Sequence, residues 1–201
     1  MSPPDSRAWR TWWTKRRWYE RNRRAGRRWR INAHAARGGF FVRFPVEGEI
    51  LEALDSGRLQ IGEGTLLEPG CWLTLSAEAR IRVGEGCFLN RGTMLAAMEE
   101  IEIGDHVMFA NNCFVGDADH RYDDRTRPIT HQGFVPRGPV RIGSNCWLGV
   151  SCVVTGGVEI GERAVIGANS VVTRDIPPGV IAAGAPAKVL REIEFEGEEG
   201  G

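Results

Sequence analysis

Residues 116–139 hold the grouping best suited to chemistry: Asp117, Asp119 and His120 lie within four positions, Tyr122 follows, and His131 stands eleven positions beyond His120. Imidazole has an unperturbed pKa of about 6.5, so it takes up and releases a proton near neutrality. A positioned base of that kind contributes about 10²–10⁴-fold to a rate. His120 is the candidate general base, and a solvated loop histidine flanked by aspartates is the plain alternative. His131, in mid-loop, is the second candidate. His106, within "IGDHV", reads as a surface or packed side chain, and His34 belongs to a basic N-terminal stretch.

What must hold these residues is a repeat. Ile61, Leu67 and Leu73 are six apart, as are Val83, Leu89 and Leu95, then Ile103, Phe109 and Val115. Ile142, Leu148, Val154, Ile160, Ile166 and Val172 continue the rhythm, so fifteen hexapeptides fall into four runs. A strict six fits no helix; it fits strands of period two reset by a corner. Three such faces close a coil of about eighteen residues, and coils stack at about 4.7–4.9 Å. Each coil buries its aliphatic residues on its neighbours. Glycine directly after the aliphatic residue, as at Gly62 and Gly149, is expected to relieve the backbone where the chain bends. The expectation is an all-β parallel helix over residues 44–191, with residues 116–139 extruded as a loop. A loop of that length inside a repeat is usually functional.

The period also accounts for the five cysteines, Cys71, Cys87, Cys113, Cys146 and Cys152. Each stands four residues after the aliphatic one, where a small side chain is wanted, and behaves there as a compact hydrophobe. None has zinc-site spacing. Unclustered and odd in number, they speak for free thiols in a reducing compartment. Formal net charge is zero, yet residues 1–43 carry 13 Lys or Arg against Asp5 and Glu20, a net of +11 balanced by the rest. No stretch approaches the roughly 18–20 apolar residues of a membrane span, and arginines interrupt the N-terminus where a signal peptide would be apolar. A soluble, cytoplasmic protein is expected.

The segment "GSNCWLGVSCVVTGGVEIGERAVIGANSVVTRDIPPGVIAAGAPAKVLRE" resembles the hexapeptide-repeat acyltransferases, and the likeness extends over about residues 59–191. Within that family it is most similar to the O-acetyltransferases of sugars and surface polysaccharides. The resemblance implies a left-handed helix, a homotrimer with sites between prisms, acetyl-CoA as acyl donor, and a sugar or glycan hydroxyl as acceptor. It implies direct transfer without an acyl-enzyme and without a metal. The family's catalytic histidine falls on His120, and its acceptor-binding asparagine on Asn90, thirty residues earlier, more than one coil and less than two, so that the two can share a groove. Asp119 joins the acceptor set. Trp147, Gly149, Val150 and Ala168 supply a narrow, backbone-lined surface for pantetheine, with a main-chain N–H for the thioester oxygen. Thr173, Arg174, Lys188 and Arg191 follow, and cations suit the nucleotide phosphates. Some relatives carry a second histidine where this chain has Tyr122, and serine where it has Val150.

Three alternatives stay open. Family members also acetylate amines of amino sugars and antibiotics. The γ-class carbonic anhydrases share the prism and bind zinc through three histidines; His106, His120 and His131 are three, without that family's close pair. A non-enzymatic scaffold is the third. The Trp- and Arg-rich extension at residues 1–43 is read as a cap on the prism, or as an anchor to an anionic membrane surface through residues 7–30; nucleic acid fits less well. Residues 192–201, acidic and glycine-rich, read as a disordered tail.

Overall fold

The computed structural model describes residues 25–195. Three parallel sheets run the length of the molecule and meet at three edges, which makes a triangular prism. Sheet 1 stacks Phe41–Val42, Leu66–Leu67, Phe88–Leu89, Met108–Phe109, Trp147–Leu148, Val165–Ile166 and Val180–Gly184 in register. An antiparallel strand, Ala187–Glu192, closes it. Sheet 2 holds Glu47–Gly48, Trp72–Leu75, Met94–Ala97, Phe114–Gly116, Val153–Val154 and Val171–Val172. Sheet 3 holds Leu59–Ile61, Arg80–Val83, Glu100–Ile103, Val140–Ile142 and Glu159–Ile160.

The aliphatic positions of the repeat are the core. Leu67, Leu73, Leu89, Leu95, Phe109, Val115, Leu148, Val154, Ile160 and Val172 are at most 1% exposed, and Ile61 alone of the fifteen is only half-buried. The five cysteines are free and buried among them. Stacking every aliphatic residue on the one below is what a lone hexapeptide cannot do and a pile of coils can.

Coil length varies more than the sequence suggests. Along sheet 1 the step is 22 residues from Leu66 to Phe88, 20 from Phe88 to Met108, 39 from Met108 to Trp147, 18 from Trp147 to Val165 and 16 from Val165 to Ile181. The extra residues of the first two steps lie where sheet 2 turns into sheet 3, which is why the rhythm pauses after Leu73 and after Leu95.

The bends are also made differently. Glycines directly after the aliphatic residue have ordinary φ; they are needed because the coils approach there. A Cβ on Gly62 would lie 2.5 Å from the Gly84 carbonyl carbon, and one on Gly149 would lie 2.6 Å from the Ala168 nitrogen. The left-handed residue comes three places after the aliphatic one: Gly70 (φ 84°), Gly92 (73°), Asn112 (60°), Ser151 (58°) and Asn169 (58°) mark one edge. Asparagine is the commonest non-glycine residue to tolerate that region.

Helix α1 (Ala25–Gly38) and the short α2 (Ile50–Asp55) cover the N-terminal end. Ile31 and Ala35 of α1 and Ile50 and Ala53 of α2 are buried against the first coil. Arg27 donates to the Gly48 carbonyl at 2.7 Å, and Asp55 accepts from Arg30 at 2.5 Å and lies 2.9 Å from His34 Nε2. This part of the basic extension is therefore a docked cap. Sheet pairing begins at Phe41, so the boundary drawn between residues 43 and 44 falls inside the first coil. Of the stretch read as a membrane anchor, residues 7–24 lie outside the described residues; within α1, Trp29 is 73% exposed. At the other end, residues 193–195 still follow the prism, with the Arg163 guanidinium 5.7 Å above the Phe195 ring, and residues 196–201 lie outside the described residues. Among the described residues no helix is long and apolar enough to cross a membrane.

Candidate active site

The extruded segment leaves sheet 2 at Gly116 and returns to sheet 3 at Val140, so it springs from the edge between those sheets. Its arms, Ala118–His120 and Phe134–Pro136, pair antiparallel, with His120 opposite Phe134. The imidazole is exposed, and its ring lies 4.4 Å from the Phe134 ring, tilted by 35°. Among the described residues nothing hydrogen-bonds that imidazole. Both nitrogens are open to a reactant.

Asp119 faces away from His120, as alternation along a strand requires. Its carboxylate accepts from Arg137 Nε at 2.7 Å, across the two arms. That bond holds the Arg137 guanidinium above its ordinary range. Asp119 is thus engaged in bracing the arms, and it does not orient the imidazole. His131 sits in a short 3-10 turn, Ile129–His131, and its carbonyl is taken by Arg127. Tyr122 is 67% exposed.

Two residues have roles that the sequence did not assign to them. Gln132, 9% exposed, ties the loop together through Asp124 N–H (3.0 Å) and the carbonyls of Asp124 (2.9 Å) and Arg127 (2.8 Å). Asp117 is fully buried, and its carboxylate accepts the N–H groups of Met98, Glu99 and Glu100. The available signal was an acid two residues after Val115, on the inward alternation of the strand, placed where the rhythm stops.

The expected donor residues divide between edges. Val150 and Ala168 lie on the edge between sheets 1 and 2 and are exposed. The ladder along that edge uses Ser151 N–H to Asn111 O (2.9 Å), Gly149 N–H to Ile166 O (2.8 Å), Gly167 N–H to Ala182 O (2.8 Å) and Asn169 N–H to Val150 O (2.8 Å). Neither Val150 N–H nor Ala168 N–H takes part in it. Gly149, expected to offer its backbone to a ligand, is instead buried with its N–H committed, and serves the close approach of coils. Trp147 projects from sheet 1 beside this edge, 49% exposed. Lys188, opposite Ala183, is exposed at the same end of the last strand; Arg191, opposite Ile181, lies nearer the far side of sheet 1 and donates to the Glu192 carbonyl at 3.2 Å. Thr173 and Arg174 are exposed on the edge between sheets 2 and 3, the edge from which the His120 arm grows.

Asn90 likewise stands on the edge between sheets 1 and 2, one coil above the level at which the loop leaves. Its Oδ1 accepts from Arg91 N–H at 3.1 Å. Within one chain Asn90 and His120 therefore stand on different edges, so a groove shared by the two needs a second copy. Thirty residues from Asn90 is one coil of 20 residues and one face more, which carries the chain to the next edge. Inside a single prism, one edge carries Asn90, Val150 and Ala168, and the other carries His120, Thr173 and Arg174. His106 occupies the third edge, at φ 56°.

A three-faced parallel helix interrupted once by a polar, histidine-bearing arm defines a class of left-handed β-helix proteins. Residues 139–174 match the family model described as the hexapeptide repeat of succinyl-transferase. A galactoside acetyltransferase solved with coenzyme A is 34% identical over 73% of this chain and 71% of its own, with a TM-score of 0.59. A hexapeptide-repeat acetyltransferase of Vibrio cholerae superposes over 90% of this chain and 89% of its own at 26% identity and a TM-score of 0.57. A protein of Mycobacterium tuberculosis named a probable acetyltransferase is 40% identical over 49% of this chain and 33% of its own length. The galactoside O-acetyltransferase of Escherichia coli is 35% identical over 46% of this chain and 44% of its own. The chain thus spans less than half the length of the curated relatives it matches. It belongs to the hexapeptide-repeat acetyltransferase family.

Proposed function

We propose that this chain moves an acetyl group from acetyl-CoA directly to a hydroxyl of a sugar or glycan, with His120 as general base. The observation that carries the reading is an exposed, unbonded imidazole held on an arm that interrupts the coil, in a chain 34% identical to a galactoside acetyltransferase solved with coenzyme A. His120 removes the proton of the acceptor hydroxyl as its oxygen attacks the thioester carbonyl. The N–H of Val150, outside the ladder, stabilises the oxygen that gains charge. Collapse expels the thiolate of coenzyme A, which recovers the proton from the imidazolium. No atom of the protein is acylated, in keeping with five buried cysteines.

A complete site then needs a second copy. The edge of one prism that carries Asn90, Val150 and Ala168 meets the neighbouring edge that carries His120, Thr173 and Arg174. Three copies with sheet 2 toward a common axis make that pairing three times. The outward row of sheet 2, Trp72, Met94, Phe114, Val153 and Val171, is apolar and suits burial there. Sheet 3 presents alternating charge, Arg82, Glu102, Arg141 and Glu159, and suits solvent. We assign the setting as cytoplasmic, for which the free thiols speak.

Thiol release from acetyl-CoA, measured over a panel of sugars, amino sugars and glycosides, tests the reading. His120→Ala is expected to lose about 10²–10⁴-fold in turnover while its sedimentation as a trimer is unchanged. Near-normal turnover in that variant excludes the assigned base, and turnover confined to amino sugars moves the acceptor from hydroxyl to amine.

A further inference from the structure

At the edge between sheets 2 and 3 each coil normally satisfies the one above it. Ser76 N–H donates to Ala97 O and Arg80 N–H to Glu99 O, both at 2.9 Å, so the first of these corners rests on backbone carbonyls of the second. The second corner, Met98 to Glu100, has no such support, because the chain below leaves the prism at Gly116. Three backbone N–H groups would lose their protein partner at the base of the loop, at a cost set by how far each is shielded from water.

Asp117 supplies what is missing. Its carboxylate accepts from Met98 N–H at 2.6 Å, Glu99 N–H at 2.7 Å and Glu100 N–H at 2.8 Å, with the residue fully buried. Its own carbonyl accepts from Arg137 N–H at 2.8 Å, which seats the returning arm on the same residue. Behind it Gly156 leaves no room: a Cβ there would lie 2.7 Å from the Asp117 oxygen. His120 is three residues farther on, about 10 Å at strand rise, and the first arm leaves the prism through Asp117.

We infer that Asp117 is the positioning residue of the candidate base: one buried carboxylate replaces a missing coil corner and thereby fixes the direction in which the His120 arm leaves the prism. The inference rests on the acetyltransferase reading for its consequence in turnover, and on the geometry alone for the latch. Asp117 touches neither donor nor acceptor. It acts through His120.

The test is Asp117→Asn, which keeps the shape but turns an NH₂ toward N–H donors. Turnover is expected to fall between about 10- and 100-fold, the scale of a displacement near 1 Å, with KM for acetyl-CoA and the coenzyme A thermal shift unchanged. In the His120→Ala background the same substitution is expected to cost less than about twofold, since residues acting as a unit are not additive. Full additivity, or wild-type turnover in Asp117→Asn, overturns the inference. If Asp117→Asn does not fold, Gly156→Ala displaces the same pivot from behind and must show the same loss. Amide exchange separates the two claims: Asp117→Asn should speed exchange at Met98, Glu99, Glu100 and His120 but not in sheet 1. Unchanged exchange there rejects the latch. A wild-type protein inactive on every acceptor, with exchange as expected, rejects the acetyltransferase reading and leaves the latch standing.

Discussion

Phe134→Ala is the sharpest probe of how the arm presents its imidazole. The ring of His120 meets Phe134 at 4.4 Å, and among the described residues that is its one ring contact. A tilted aromatic pair contributes about 0.5–1.5 kcal/mol beyond area burial. Phe134 is 52% exposed, which argues for the lower half of that range. If about 0.5–1 kcal/mol holds the imidazole in one rotamer, its loss lowers the competent fraction roughly two- to fivefold. Initial rates of thiol release should show that fall in kcat, with KM for acetyl-CoA unchanged, because Phe134 packs on the imidazole and the residues assigned to the donor lie on the prism edges. Phe134→Tyr should restore the rate, and thermal stability should barely move. An unchanged kcat, or a loss beyond about a hundredfold, would refute the idea that stacking sets the rotamer.

Two further outcomes follow from burial and charge. All five thiols should resist an aromatic disulfide reagent at pH 8 and react together after unfolding: burial pushes Cys71 up to about 12 and Cys146 to about 11, and although the hydrogen bond with Cys113 lowers the Cys152 thiol to about 7, both members of that pair are at most 1% exposed and out of the reagent's reach. One rapid stoichiometric reaction in the native protein would contradict the packing. Asp55 is held below the usual carboxylate range first by the hydrogen bond with His34, then by Arg30 nearby. A carboxylate depressed in the folded state stabilises above its unfolded value and loses that contribution as pH falls through its folded one. Asp55→Asn should therefore lower the melting temperature at pH 7, and the gap should close in strong acid; a gap that persists at low pH would assign the effect to packing.

The six-residue rhythm identified the prism, its core and its cysteines because each depends on which residues alternate inward, and alternation is local. The loop and His120 were legible for the same reason: a strict period makes its own interruption visible. The bends were misassigned. Glycine after the aliphatic residue marks close approach of two coils, a relation between residues sixteen to forty apart, as at Gly167 with Ala183 and Gly104 with Ser144, whereas the left-handed corner passes through asparagine, serine or arginine as well as glycine, as at Asn112, Ser151 and Arg163.

Sequence alone thus determined the architecture and made His120 a candidate, since the repeat and its interruption are written in side-chain type and spacing along a few neighbouring positions. Tertiary structure decided which edge each residue occupies, because coils of 16 to 39 residues shift every downstream position around the triangle. Folding sets Asn90 and His120 on different edges, commits the Gly149 N–H to the ladder, and leaves Asp117 beneath three N–H groups seventeen to nineteen residues away. Distance along the chain carries no such information once the coil length varies.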